Sequence, residues 1–302
     1  MSPAATLVEA LEPLRSDPSH SAVLLDIDGT LAPIVRHATD AHVPEATRTL
    51  LIEIAKRYRL VGCVSGRRAA SARQVVAIGS IAYVGNHGGE LLRAGATRPE
   101  VDPELGAWTE RVRAFAARAY TSEHQRLRVR AEDKHAIAAF HWRGAPDELA
   151  AAAAVREIAA RAQAEGLAVH WGRKVLEVRP PVVLDKSLGV GALLNGFTVT
   201  ARDGSAGVDG DAARGDGHSA RGDGEGLPGD LTPAFNAALY VGDDTTDLDA
   251  FRGLRALVQA GTLARAVCVA VRSEEAPREL IDAADLAIDG TDGVRELLEA
   301  LL

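Results

Sequence analysis

Residues 24–34 read LLDIDGTLAPI, and this stretch decides the interpretation of the chain. An apolar run ends in Asp26 and Asp28, which stand two positions apart, and Gly29 follows them directly. Side chains two positions apart in a strand point the same way, so both carboxylates are predicted to face the crevice where open α/β sheets bind ligands. Such a pair favours a divalent cation such as Mg²⁺, although a turn built on Asx hydrogen bonds is the plainer alternative.

Short apolar runs alternate with helical patterns on both sides of residues 96–178, which is typical of βαβ units around a parallel sheet. The sequence therefore predicts an α/β fold with a Rossmann-like parallel-sheet core at 1–95 and 179–302. Between them, at 96–178, helices and hairpin-like strand pairs predict an inserted α+β cap domain. The predicted core strands are 22–27, 60–64, 81–84, 237–241, 266–271 and 285–288.

Residues 201–230 are rich in glycine and aspartate and nearly lack large apolar side chains. Such a composition cannot bury enough surface to offset its ordering entropy, so we predict a disordered insertion. The aspartates also suggest a weak cation site, but their spacing follows neither an EF-hand loop nor a nonapeptide repeat.

Composition excludes several classes of protein. The 302 residues include 34 Lys and Arg against 42 Asp and Glu, a net charge of −8 that argues against a nucleic-acid partner. No apolar run approaches the roughly 18 residues of a membrane span, and residues 1–20 lack a signal-peptide pattern, so we expect a cytoplasmic protein without membrane contact. Cys63 and Cys268 lie in apolar runs, which indicates buried strands rather than a disulfide or metal cluster.

A second acidic cluster contains Asp243, Asp244 and Asp247, directly after the apolar run AALYV at 237–241. Acidic loops at the ends of two predicted strands argue against a chance arrangement. Capping of the following helix by Asp244 or Thr245 is the alternative for this cluster alone.

Two further motifs complete the candidate site. Ser65 follows the predicted strand 60–64 in the sequence Ser65-Gly66-Arg67, where its hydroxyl and the loop amides suit a phosphate oxygen. Ser-Gly is also a common turn. Lys186 follows an apolar run and would supply positive charge to a site full of carboxylates, although an isolated lysine is more often solvated.

These four motifs, in this order, resemble those of the haloacid dehalogenase superfamily of phosphatases. The resemblance implies that Asp26 is the nucleophile that accepts the phosphoryl group, while Asp28 protonates the leaving oxygen and then activates water. It implies that Ser65 and Lys186 orient and neutralise the phosphoryl oxygens. It also implies Mg²⁺ as cofactor, held by a set of acidic residues: Asp26, the main-chain carbonyl of Asp28, and Asp243, with Asp244 and Asp247 in support.

The predicted cap narrows the resemblance. Four segments are similar to signature segments of trehalose-6-phosphate phosphatases: GNHGGE (85–90), RAEDK (130–134), FHWR (140–143) and GRKVLEVRP (172–180). This similarity implies Mg²⁺-dependent hydrolysis of trehalose 6-phosphate through an aspartyl-phosphate intermediate. It also implies that the loop at Gly66 and Arg67 binds the substrate beside its phosphate. The other groups implied to bind the substrate are charged: Glu90, Arg130, Glu132, Lys134, Lys174 and Glu177.

The residues alone leave several alternatives open. The cap positions also fit an ordinary solvated sheet face with a Glu132–Lys134 pair, and His87, His141 and Arg143 also fit packing or hinge roles. The activity itself has two alternatives, another sugar phosphatase acting on sucrose phosphate or mannosylphosphoglycerate, and a non-catalytic sugar-phosphate sensor. The expected partner is a small-molecule sugar phosphate, and an association with a trehalose-phosphate synthase is not deducible from these residues.

Overall fold

The computed structural model of the protein describes residues 3–35, 40–195 and 235–302. The predicted insertion at 201–230 lies outside these ranges. No helix within them is both long enough and apolar enough to cross a membrane. Cys63 and Cys268 are free cysteines, and both are buried, as their apolar surroundings predicted.

The described residues form an α/β fold. The first part of the chain contains α1 (Pro3–Arg15), β1 (Ser21–Leu25), α2 (Glu45–Arg57), β2 (Leu60–Val64), α3 (Ala69–Val76), β3 (Ala82–Gly85), β4 (Glu90–Leu92) and β5 (Glu100–Val101). The middle part contains α4 (Pro103–Ala107), α5 (Thr109–Ala119), α6 (Ser122–Arg126), β6 (Arg130–Asp133), β7 (Ala138–His141), α7 (Glu148–Ala164), β8 (Ala168–Gly172) and β9 (Val175–Arg179). The last part contains α8 (Lys186–Asn195), β10 (Ala237–Gly242), α9 (Asp247–Gln259), β11 (Arg265–Arg272), α10 (Arg278–Ala283), β12 (Leu286–Asp289) and α11 (Gly290–Leu301).

The larger sheet has the strand order β12-β11-β10-β1-β2-β3-β4-β5. Strands β12 to β3 are parallel, and β4 and β5 extend the sheet antiparallel at one edge. This arrangement confirms the predicted Rossmann-like core. Since β1 lies between β10 and β2, the loops that leave these three strands meet at one edge of the sheet.

Helices cover both faces of this sheet, which explains why β1 and β10 are buried along their whole length. On one face Leu51 of α2 and Leu297 of α11 belong to a single apolar cluster with β1 and β10 residues. On the other face Val190 of α8 and Phe251 of α9 pack in a second cluster. The packed sheet gives the loops at its carboxyl edge a rigid support.

The smaller sheet has the order β6-β7-β9-β8 and is antiparallel throughout. Phe115 of α5 and Ile158 of α7 pack against Phe140 and Leu176 of this sheet in a third apolar cluster. These elements form the α+β insertion that the sequence predicts, and we refer to them as the cap. Strand β5 lies beyond residue 95 and pairs with β4 of the large sheet.

Candidate active site

Three carboxylates meet at the carboxyl edge of the large sheet. Asp26 directly follows β1, whereas Asp243 and Asp247 belong to the loop after β10 and the start of α9. One carboxylate oxygen of each lies within 4.8 Å of the others, and all three side chains are buried. Adjacent strand ends therefore bring together acidic residues that are far apart in the chain.

Lys186, the first residue of α8, lies between two of these carboxylates. Its Nζ donates to Oδ1 of Asp26 at 2.8 Å and to Oδ1 of Asp247 at 2.6 Å. Burial alone would lower the pKa of Lys186, but the two carboxylates outweigh this effect and raise it. The ammonium group is thus held in its charged form beside Asp26.

Both oxygens of the Asp247 carboxylate are already hydrogen-bonded. Oδ1 accepts from Lys186 and from the hydroxyl of Tyr240 at 2.7 Å, and Oδ2 accepts from the backbone N–H groups of Asp243 and Asp244 at 2.9 Å each. A fully bonded carboxylate fixes the groups around it. Asp247 therefore holds the acidic loop and the lysine in position.

The cluster carries more negative than positive charge. Burial and the Asp247 and Asp243 charges raise the pKa of Asp26 despite the opposing effect of Lys186. Burial, reinforced by Asp247, raises the pKa of Asp243 to about 7. Crowded carboxylate oxygens of this kind are the ligands that Mg²⁺ prefers, so the residues present fit a divalent cation.

Asp28 and the loop after β2 form the other side of the site. The Arg67 guanidinium binds Asp28 in a bidentate manner, with Nε 2.6 Å from Oδ2 and Nη2 2.7 Å from Oδ1. The backbone N–H of Arg67 donates to the buried Oγ of Ser65 at 3.2 Å. Fork geometry orients a carboxylate more strictly than a single bond, so Arg67 sets the direction in which Asp28 points.

Two of the predicted substrate residues lie in a buried ionic cluster between cap and core. Lys134 donates to Oε1 of Glu177 at 2.7 Å and to the carbonyl of Gly66 at 3.1 Å. Arg179 and His87 approach the other Glu177 oxygen, the latter with Nε2 at 3.4 Å. Burial alone would raise the pKa of Glu177, but its cationic neighbours hold that pKa well below the usual value. In this conformation Lys134 and Glu177 are bonded to each other, and Lys134 is also bonded to the loop at Gly66.

Glu90 is also buried, at the connection between β3 and β4. It accepts from the backbone N–H of Ala69 and from Nδ2 of Asn86, both at 2.9 Å, and lies 3.6 Å from Nε of Arg68. These partners attach the start of α3 to the β3–β4 connection. The structure therefore places Glu90 in a packing position, away from solvent.

The remaining predicted cap residues are accessible. Glu132 accepts from Nε2 of His141 at 2.9 Å, and this bond lowers the pKa of Glu132. Lys174 donates to Glu148 at 2.7 Å, and Arg130 is exposed at the start of β6. These side chains keep solvent contact and can meet an incoming ligand.

A cavity of about 640 Å³ lies between the core and the cap. Gly29 lines it from the core and Lys174 from the cap. Its lining includes residues that the sequence did not single out: Pro33, Ile34, Glu148, Ser273, Glu274, Glu275 and Thr291. They come from separate loops and helix ends and form no local motif, so only the fold shows that they are neighbours.

His87 gives the protein a specific response to acid. Burial lowers its pKa to about 4, although Glu177 acts in the opposite direction. Because the unfolded chain binds a proton near pH 6.5, stability from the neutral buried ring is present above that pH and is lost as pH falls towards about 4. We expect up to about 3 kcal/mol of unfolding free energy to be lost on this account.

Urea denaturation of His87→Asn at about pH 7.5 and about pH 4.5 tests this effect. Asparagine tolerates the positive φ of 54° at this position and does not titrate. The variant should lose less stability on acidification than the parent, whereas His42→Asn, a change at an exposed histidine, should follow the parent. Equal acid sensitivity of His87→Asn and the parent would contradict the assignment.

The parallel sheet with its inserted antiparallel cap defines a fold shared with a haloacid dehalogenase-like hydrolase from Bacteroides thetaiotaomicron. The two align with a TM-score of 0.55 at 15% identity, over 94% of this chain and 100% of that one. The chain belongs to the trehalose-phosphatase family, whose model matches residues 24–283.

Named relatives agree with this assignment. A trehalose-phosphate phosphatase of Mycobacterium avium is 31% identical over 78% of this chain and 52% of its own length. The structure of the C-terminal domain of a C. albicans trehalose-6-phosphate phosphatase aligns with a TM-score of 0.68 at 20% identity, over 99% of this chain and 96% of that one. The chain spans about half the length of the curated relatives it matches.

Proposed function

We propose that the protein hydrolyses trehalose 6-phosphate to trehalose and phosphate. The observation that carries the proposal is the buried Asp26 carboxylate, which is held by Lys186 at the end of β1, next to a loop that lines the cavity under the cap. Membership of the trehalose-phosphatase family supports the choice of substrate. The proposal includes a cytoplasmic location, which suits a water-soluble sugar phosphate as substrate.

The chemistry proceeds in two displacements at phosphorus. An oxygen of Asp26 attacks, the bond from phosphorus to the sugar oxygen breaks, and Asp28 gives the leaving oxygen a proton. Asp28 then takes a proton from water, whose oxygen attacks the aspartyl phosphate and releases phosphate and free Asp26. Lys186 offsets charge on the reacting carboxylate, and Ser65 and the loop at Gly66 and Arg67 orient the phosphoryl oxygens.

Mg²⁺ is the proposed cofactor. Asp26, Asp243 and the main-chain carbonyl of Asp28 would hold it, with Asp244 and Asp247 as supporting groups. When bound, it supplies positive charge that reduces the repulsion between carboxylates and phosphate. Since the Asp247 oxygens already accept four hydrogen bonds, we assign this residue to positioning the loop.

The cap, proposed as a separate domain, would bind the sugar. Glu132, Lys174 and Arg130 have the accessibility that this role needs, and charged groups bond sugar hydroxyls more strongly than neutral ones. For Lys134 and Glu177 the buried contacts support a role in holding cap and core together, and a sugar contact would require the cap to shift. The buried contacts of Glu90 lie within the core and support a packing role.

Release of phosphate from a panel of esters, with Mg²⁺ and with a chelator, tests the proposed function. The panel contains trehalose 6-phosphate, sucrose phosphate, mannosylphosphoglycerate and p-nitrophenyl phosphate. We expect Mg²⁺-dependent turnover with the highest kcat/KM for trehalose 6-phosphate. A preference for another ester would identify that ester as the substrate. Tight binding of trehalose 6-phosphate without turnover would identify a sensor instead of an enzyme.

Glu132→Ala separates sugar recognition from chemistry. The ionised Glu132 is suited to accept a hydrogen bond from a sugar hydroxyl. Loss of a charged hydrogen-bond partner reduces the binding free energy by roughly 1.5–3 kcal/mol. We expect kcat/KM for trehalose 6-phosphate to fall about 10- to 150-fold while that for p-nitrophenyl phosphate is spared. Asp133→Ala, next to it in β6 and paired with Arg113, is the matched control and should change neither value. Equal losses on both substrates would remove Glu132 from the sugar site.

A further inference from the structure

Arg173 lies at the end of the cap that reaches the acidic loops of the core. Gly172 and Val175 are paired across β8 and β9, so Arg173 and Lys174 form a two-residue hairpin turn. Lys174, the second residue of this turn, adopts a positive φ of 58°. The short turn leaves the arginine side chain at a fixed point of the cap sheet.

The guanidinium group of Arg173 contacts two core loops at once. Nη1 donates to Oε2 of Glu275 at 3.2 Å, and Nη2 donates to the carbonyl of Glu275 at 3.1 Å. The same nitrogens lie 3.8 Å from Oδ2 of Asp243 and 3.6 Å from Oδ1 of Asp244. Glu275 therefore anchors a cation from the cap beside the acidic cluster.

Asp243 is also a proposed ligand of the metal ion. A guanidinium at this distance lessens the negative charge that attracts a divalent cation, and both cations draw on the same carboxylate. We propose that Arg173 is a latch that couples the cap to the metal site: it ties the cap to the core while the metal is absent, and metal binding loosens it. This inference rests on the metal site of the proposed function.

Other contacts join the cap to the core near the chain connection, and these do not involve the acidic loops. Lys134 reaches the carbonyl of Gly66, and Asn86 reaches the carbonyl of Lys134. Arg173 lies just before the start of β9, whereas Arg179 ends that strand next to the chain connection. Release at Arg173 would thus free the far end of the cap while the near end stays attached, and substrate would enter mainly when metal is bound.

Coupling of this kind is reciprocal, so a group that metal displaces also weakens metal binding. Calorimetric titration of the substrate-free protein with Mg²⁺ should show tighter binding to Arg173→Gln than to the parent, by about fivefold or more. Lys174→Gln removes the same charge from the adjacent turn position, but its partner is Glu148 of the cap, so its affinity should stay within about twofold of the parent.

An affinity of Arg173→Gln equal to or below that of the parent would overturn the latch while leaving the metal site intact. Absence of Mg²⁺ binding to the parent would instead overturn the metal site, and the latch with it. The two failures are therefore distinguishable.

The position of the cap supplies a second readout. Dyes attached at Arg156→Cys on α7 and Glu296→Cys on α11 report the distance between cap and core, and the native cysteines are buried. We expect Mg²⁺ to lower energy transfer in the parent, and Arg173→Gln to show the lower value without Mg²⁺. A distance that does not respond to Mg²⁺ in the parent would contradict the latch.

Discussion

Asp26→Asn is expected to lower phosphate release from trehalose 6-phosphate by about 1,000-fold or more, because an amide cannot form the aspartyl phosphate. The substitution keeps the shape of the side chain next to Lys186. It also removes one of three crowded, buried carboxylates, so the melting temperature measured without Mg²⁺ should not fall. Steady-state phosphate assays and thermal denaturation of the purified variant measure the two effects.

Asp289→Asn is the matched control for this prediction. It makes the same chemical change at the end of another parallel strand of the same sheet, where Asp289 pairs with Arg272 and is exposed. This variant should keep full activity. Residual activity of Asp26→Asn above a few per cent of the parent would show that another group is the nucleophile.

The parallel core could be predicted from the sequence because its strands are buried on both faces and appear as continuous apolar runs. The run LVGCV predicted the bounds of β2 at Leu60–Val64. At β1 the run continues through Ile27, but pairing ends at Leu25 because the chain turns away to form the Asp26 loop. Burial pattern thus locates a strand, while the partner strand decides where it ends.

The antiparallel edge of the large sheet could not be predicted in the same way. Strand β4 is only three residues long, and β5 is a pair of exposed residues, so neither shows a usable alternation. In the cap, Trp108 separates α4 from α5, so two helices stand where the chain shows no glycine or proline break between them. Short elements at an edge owe their structure to pairing with the neighbouring strand rather than to a pattern of their own.

The residues of the candidate site differed in how readily the sequence revealed them. Asp26 and Asp243 were apparent because acidic residues directly follow apolar strands. The partners of the charged cap residues carried no such signal: the burial of Lys134 against Glu177, and the contact of Arg173 with Glu275, depend on how the cap lies on the core. Sequence patterns report the local environment of a residue, whereas ion pairs between distant segments require the fold.

Gly29→Ala should disable the site although it replaces no ionisable group. Gly29 has a φ of 92°, and a Cβ atom placed there would collide with the carboxylate of Asp243. The carboxylate must therefore move, and misplacement of a reacting or metal-binding group by about 1 Å costs on the order of 100-fold. We expect kcat/KM to fall about 100-fold and Mg²⁺ affinity to fall about 10- to 100-fold.

Gly95→Ala is the control that separates the effect of displacing Asp243 from the effect of backbone strain. Gly95 also has a positive φ, of 75°, but a Cβ there would meet nothing within 4 Å. Both variants carry a conformational penalty of roughly 1–2 kcal/mol and should melt at lower temperature than the parent. Only Gly29→Ala should lose activity and Mg²⁺ affinity, as measured by phosphate release and calorimetry. If the two variants behave alike in these assays, the close approach of Gly29 to Asp243 has no part in forming the site.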